Sequence, residues 1–161
     1  MSETRTDDGR HDFDFFFGRW RIANRRLRSR LAGDTRWDEF GATAECHPIL
    51  GGVGNVDSYS AAPYWDGKPF EGATVRLFNP ATRLWSIYWA DDRRVILDPP
   101  VVGRFDGDLG IFEGDDVFEG KPIRFRFTWT RGARVTWQQD FSADGGKTWE
   151  TNWHNTFTRL A

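Results

Sequence analysis

The sequence predicts an all-β chain, closed into a single antiparallel up-and-down barrel of about ten strands and preceded by a short helical turn. Three observations carry this. Aromatic residues make up 16% of the chain, with nine Trp and fourteen Phe against one Met, and large aromatics favour pleated, half-buried surfaces. Turn signals recur along the whole length at the spacing of short strands. Apolar and polar residues alternate with period two between those turns, and no segment shows sustained helical periodicity. With no helix layer to cover an open sheet, closing the sheet on itself hides its faces and its edges.

The elements follow in order. Residues 1–10 are read as a disordered polar tail and 11–161 as one domain, with a single helical turn in "HDFDFFF". The first strand, "GRWRIANRRLRSRL", turns at Ala32 and Gly33 into "DTRWDEFGATAE". Its six arginines then face Asp38, Glu39 and Glu45 across the hairpin, a solvated charge ladder rather than a nucleic-acid stripe. Further turns fall at "ILGGVGN", "WDGK", "FNPATR" and "ADDR". The stretch 97–119 is read as two strands joined at Asp106 and Gly107. "FEGK", "TRGA" and "ADGGK" delimit the last three strands.

Alternation assigns the faces. "LWSIYWA" groups Trp85, Ile87 and Trp89; "IRFRFTW" groups Phe125, Phe127 and Trp129; "VTWQQDF" groups Val135, Trp137, Gln139 and Phe141. The last strand groups Trp149, Thr151, Trp153, Asn155 and Phe157. If these faces share one interior, Trp20, Trp85, Trp89, Phe127, Trp129, Trp137 and Trp153 line it, interrupted by Asn24, Gln139, Thr151 and Asn155. Flat apolar walls with a few hydrogen-bonding groups describe a small-molecule pocket. The expected function is therefore binding of a small apolar or aromatic molecule. The competing enzyme reading, a cyclase or isomerase using the same cavity, needs an ionisable group such as Tyr59, Tyr88, Glu45 or His47 inside it.

Other classes find little support. A net charge of -2 gives no field that draws the chain to nucleic acid or an anionic membrane. There is no apolar run long enough to span a bilayer, and "MSETRTDDGRHD" is no secretory signal, so the expectation is a cytoplasmic protein. The single Cys46 makes no internal disulfide, and three scattered histidines form no metal site. No serine sits in a nucleophile elbow, and "GGVG" has no following helix to build a phosphate site. Asp91, Asp92 and Asp98 beside Arg93 and Arg94 read as a solvated loop of alternating charge. An outward Phe78 or Tyr88 is a candidate dimer face, so a homodimer is among the expectations.

Two resemblances add to this. Ser142-x-Asp144-x-Gly146-x-Thr148-Trp149 resembles the Asp-box of sialidases, but in a chain of 161 residues it is expected to serve as a hairpin device, with Trp149 starting the returning strand against the core. "FFFGRW" near the start and Arg159 in "TFTRL" resemble the ends of lipocalin-like (calycin) barrels, and "LGGVGNVD", "FEGDDVFEGKPIRFRFTW" and "DGGKTWETNW" are similar to a group of small uncharacterised bacterial calycin-like proteins. That resemblance implies a barrel whose closed end is plugged by Trp20 under Arg159. The opening also resembles nitrobindin-type barrels, which hold haem through a histidine on the last strand. The corresponding residue would be His154, which alternation turns outward, so no cofactor is expected and haem is kept as an alternative.

Overall fold

The computed structural model describes residues 8–161, so residues 1–7 of the expected tail lie outside it. Ten antiparallel strands form one closed barrel: β1 (Gly18–Leu27), β2 (Trp37–Ile49), β3 (Gly54–Ala61), β4 (Phe70–Asn79), β5 (Leu84–Asp91), β6 (Val101–Asp106), β7 (Leu109–Phe118), β8 (Lys121–Thr130), β9 (Val135–Ser142) and β10 (Glu150–Arg159). Each strand pairs with its neighbours in sequence, and β1 pairs with β10 to close the ring, Trp20 lying opposite Arg159. The hairpin expected at Asp106 and Gly107 joins β6 to β7. Short 3-10 turns at Asp14–Phe16 and Leu50–Gly52 are the helical structure among the described residues.

The turn before β1 closes one end. Phe13 is fully buried and meets Trp85 and Phe105 edge-on at 5.1 Å each. Phe16 stacks on Trp20 at 5.3 Å, and its carbonyl accepts the Trp20 indole N–H at 2.8 Å. Arg159 lies over the other face of this plug, 4.2 Å from the Trp20 ring, and donates to the carbonyls of Phe17 (2.7 Å) and Phe15 (2.6 Å). Gly18 is required at this junction. Its φ is +110°, and a Cβ there would stand 2.9 Å from the Arg159 guanidinium. At the same end Trp85 donates to the carbonyl of Gly9 at 3.0 Å.

Three sequence expectations are corrected. Phe78 does not face outward: it pairs with Trp85, shares its inward side, and packs against its ring at 5.4 Å. Trp149 and Thr151 do not share the face of Trp153. A β-bulge places both Thr151 and Trp153 against consecutive residues of β9, with Asn152 as the extra residue, so parity reverses upstream of it. Thr151 accordingly donates to Asp140 at 2.6 Å, and Trp149 stacks on Arg126 at 4.1 Å outside the barrel. Finally, the six arginines of the first hairpin do not all face outward. Arg25 and Arg28 pair with Glu39 (3.4 Å) and Asp38 (2.7 Å), but Arg26 and Arg30 turn into the cavity.

The Asp-box hairpin is built as a turn. Asp144 accepts the backbone amides of Lys147 (3.0 Å) and Thr148 (2.9 Å) and the Ser142 hydroxyl (2.8 Å), while Gly145 and Gly146 hold φ of +74° and +92°. These bonds hold the Asp144 carboxyl far below the usual range, the Thr148 hydroxyl contributing most.

Candidate functional site

Above the plug the barrel encloses a cavity of 520 Å³. Strand direction sets its ends: Phe13, Phe16 and Trp20 close the bottom, while the exposed Trp65 and Val117 among its lining mark the mouth. Alternation delivers Trp89 from β5, Phe127 and Trp129 from β8, Trp137 and Gln139 from β9, and Trp153 and Asn155 from β10 to one wall-to-wall surface. These are seven of the ten candidate ligand residues. Trp137 and Trp153 meet edge-on at 5.8 Å, as do Phe127 and Trp137 at 5.1 Å.

The other three stand behind the lining. Trp20 and Trp85 belong to the closed end. Asn24 is buried and orients its neighbours: its Oδ1 accepts the Tyr59 hydroxyl at 2.8 Å and the Trp153 indole N–H at 3.2 Å. That network fixes the Trp153 ring at the cavity wall, so Asn24 acts through Trp153 and Tyr59.

Two sets of lining residues escaped the sequence reading. One lies deep: Arg76 and Asp57 form an ion pair at 2.7 Å with side chains 3% and 5% exposed. Arg76 also donates to Asn55 at 2.9 Å and lies 5.1 to 5.3 Å over the rings of Phe13, Phe16 and Trp129. The inward alternation of "NVDSYS" with "TVRLF" carried the signal, since Asp57 and Thr74 are register partners. The other set rings the mouth: Arg26, Arg30, Tyr64, Trp65, Arg93 and Arg94. Asp91 and Asp98, expected in a solvated loop, sit at this rim and bind Arg94 at 3.0 and 2.8 Å. Burial pushes the Tyr64 hydroxyl up to about 12.

Unmatched polar atoms cluster in the same space. The Trp129 Nε1, Asn155 Oδ1, Arg26 Nε and Arg76 Nε atoms are buried on lining residues and have no hydrogen-bond partner among the described residues. Buried polar groups are paired in the great majority of native structures. Together these atoms offer three donors and one acceptor.

The ionisable residues that the competing enzyme reading needs inside the cavity are mostly elsewhere. Glu45 and His47 lie 3.5 Å apart on the outer side of β2, both well exposed. Tyr88 is half-buried, and its position between Ile87 and Trp89 turns it outward. Tyr59 does reach the cavity, but burial raises the pKa of its hydroxyl and keeps it protonated, and its proton is committed to Asn24. His154 lies opposite Arg25 in the β1–β10 ladder, outside the barrel. Its pKa is lowered by partial burial and by the charges of Arg25 and Arg134. Among the described residues no group of three His, Cys, Asp or Glu is placed to hold a metal, and no helix is long and apolar enough to cross a membrane.

The closed ten-stranded barrel defines the class: an antiparallel up-and-down β-barrel consistent with the calycin-like fold that the chain's ends resemble. Among solved structures it is similar to an S-type phycobiliprotein lyase from Guillardia theta, with a TM-score of 0.60, 11% identity, and 99% of this chain and 98% of the other covered. No protein-family model matches the chain, and no curated protein matches it. At this identity the likeness is one of fold.

Proposed function

We propose that this barrel binds a small, flat, apolar or aromatic molecule in its tryptophan-lined cavity. The observation that carries the reading is the coincidence of 520 Å³ of aromatic-walled space with four buried polar atoms in its lining that have no partner among the described residues. A core packed for stability alone would fill that volume and pair those atoms, since each unmatched group costs roughly 1–3 kcal/mol. A ligand with a ring system stacks on Trp89, Trp137 and Trp153 and meets Trp129 Nε1 and Asn155 Oδ1 with its polar edge. The shared fold with a phycobiliprotein lyase agrees with a barrel of this kind taking a small ligand. The wider kinship, with small bacterial calycin-like proteins, is part of the same proposal.

Haem fits the geometry less well, because His154 points away from the cavity. Reconstitution that yields a Soret band shifting on His154→Ala would overturn that judgement. Tryptophan emission titrated with a panel of polycyclic aromatic and acyl compounds tests the main reading. Saturable one-to-one quenching by at least one of them is expected, and its absence across the panel contradicts the proposal.

A further inference from the structure

The mouth of the cavity holds four arginines in two different electrostatic states. Arg94 is bound by Asp98 at 2.8 Å and by Asp91 at 3.0 Å, and Arg93 is bound by Asp66. Arg26 and Arg30 have no such carboxylate among the described residues. Arg26 is only 7% exposed, its Nε has no hydrogen-bond partner among the described residues, and its guanidinium lies 4.5 Å over Trp65 and 5.7 Å over Trp153. Arg30 is half-buried, 5.1 Å over Phe118 and 5.4 Å over Phe141.

The acids that act on this pair are already engaged or turned away. Asp38 and Asp66 act on Arg26, but Asp38 binds Arg28 and Asp66 binds Arg93. Glu119, which acts on Arg30, is exposed and forms no ion pair among the described residues. Asp116 at the rim accepts the Val117 amide at 2.7 Å. The Tyr64 hydroxyl is hydrogen-bonded to Arg26, but burial keeps it protonated, so it supplies no counter-charge. Burial lowers the Arg26 pKa, and burial together with the charges of Arg26 and Arg94 brings Arg30 down to about 10. Two guanidinium groups in apolar surroundings, repelling one another and lacking a counter-ion, are completed by an anion.

We infer that the ligand is an amphiphile with a carboxylate, held with its apolar body among the tryptophans and its acid group at the mouth between Arg26 and Arg30. The inference rests on the cavity-binding reading and adds the charge of the ligand to it. A small inorganic anion alone satisfies the arginines and leaves the apolar walls uncovered; a neutral aromatic does the reverse. The guanidinium fork matches a carboxylate in two parallel hydrogen bonds, and Arg93 and Arg94, being neutralised, shape the rim without competing for it.

The test compares 1-pyrenebutyric acid with its methyl ester, which has the same ring body and no charge, by quenching of tryptophan emission near neutral pH. The acid is expected to bind roughly ten- to a hundredfold more tightly, the range of a charge-assisted hydrogen bond. Arg26→Gln and Arg30→Gln each move the ratio of the two affinities towards one, and the wild-type comparison stands even if either variant fails to fold. Equal affinity of acid and ester for the wild-type protein overturns the inference and leaves the binding cavity intact. Failure of both probes to quench saturably overturns the inference and counts against the cavity reading itself.

Discussion

Arg76 and Asp57 meet at 2.7 Å inside the barrel, each almost wholly buried, with Asn55 as the second acceptor of the guanidinium. The pair stands above the aromatic plug and anchors β3 to β4 from the inside, so each partner depends on the other for its charge to be tolerated. Asp57→Ala leaves a buried guanidinium with one neutral acceptor, and a loss of about 3–5 kcal/mol in chemical unfolding is expected. Replacing both residues together with apolar side chains of similar volume is expected to recover much of that loss.

The lid formed by Arg159 on Trp20 joins the last strand to the turn before the first. Arg159→Ala uncovers the indole and strips two backbone carbonyls of their donor, for an expected loss of about 1–3 kcal/mol. Gly18→Ala acts on the same junction by forcing a left-handed backbone and crowding the guanidinium. Thermal unfolding of both variants checks this, and the two losses should be less than additive because they share one contact.

Cys46 is 1% exposed, and burial pushes its thiol up to about 12. A thiol so placed is expected to resist maleimide and disulfide reagents in the native protein and to react fully once the chain is unfolded in denaturant. Reaction of the native protein at the rate of a small thiol contradicts the packing described for β2.

Gly72 is needed for space rather than for its φ. A Cβ there would stand 2.1 Å from the Trp89 ring. Gly72→Ala is therefore expected to tilt that indole into the cavity, shifting its emission and weakening binding of flat aromatic probes more than it lowers the melting temperature. An unchanged probe affinity contradicts the placement of Trp89 in the wall.

The Asp144 carboxyl is held below its ordinary value by the Thr148, Ser142 and backbone donors of the β9–β10 turn. A group with a depressed folded-state pKa stabilises the fold above its unfolded value and loses that contribution as pH falls below it. The melting temperature of the wild-type protein is expected to fall more steeply below about pH 4 than that of Asp144→Asn. Parallel curves contradict the turn's hydrogen bonding.

Most of the barrel was legible because a period-two pattern and glycine-rich turns are written directly in the chain. Trp89, Trp129, Trp137 and Trp153 were found on the cavity wall by alternation alone. Alternation failed where the ladder itself is irregular: the bulge at Asn152 reverses the faces of Thr151 and Trp149, and nothing in "TWETNW" marks which residue is the extra one. The inward arginines were missed for a different reason. Charged residues on alternating strands are usually solvated, and Arg26 stands beside Arg25, so one of two adjacent arginines had to face inward wherever the pattern held. The deep Asp57 and Arg76 were hidden because each looks unpaired until β3 and β4 are placed side by side.

A ligand held in the barrel as proposed lies against the inner tryptophans. Indole N–H resonances of isotope-labelled protein, assigned by single Trp→Phe variants and followed during titration with 1-pyrenebutyric acid, read this position by position. Shifts are expected at Trp89, Trp129, Trp137 and Trp153, with Trp65 at the mouth following, while Trp20 and Trp85 in the plug and Trp37 and Trp149 on the outside stay in place. Shifts confined to Trp37 and Trp149, or none at saturating probe, would contradict that placement.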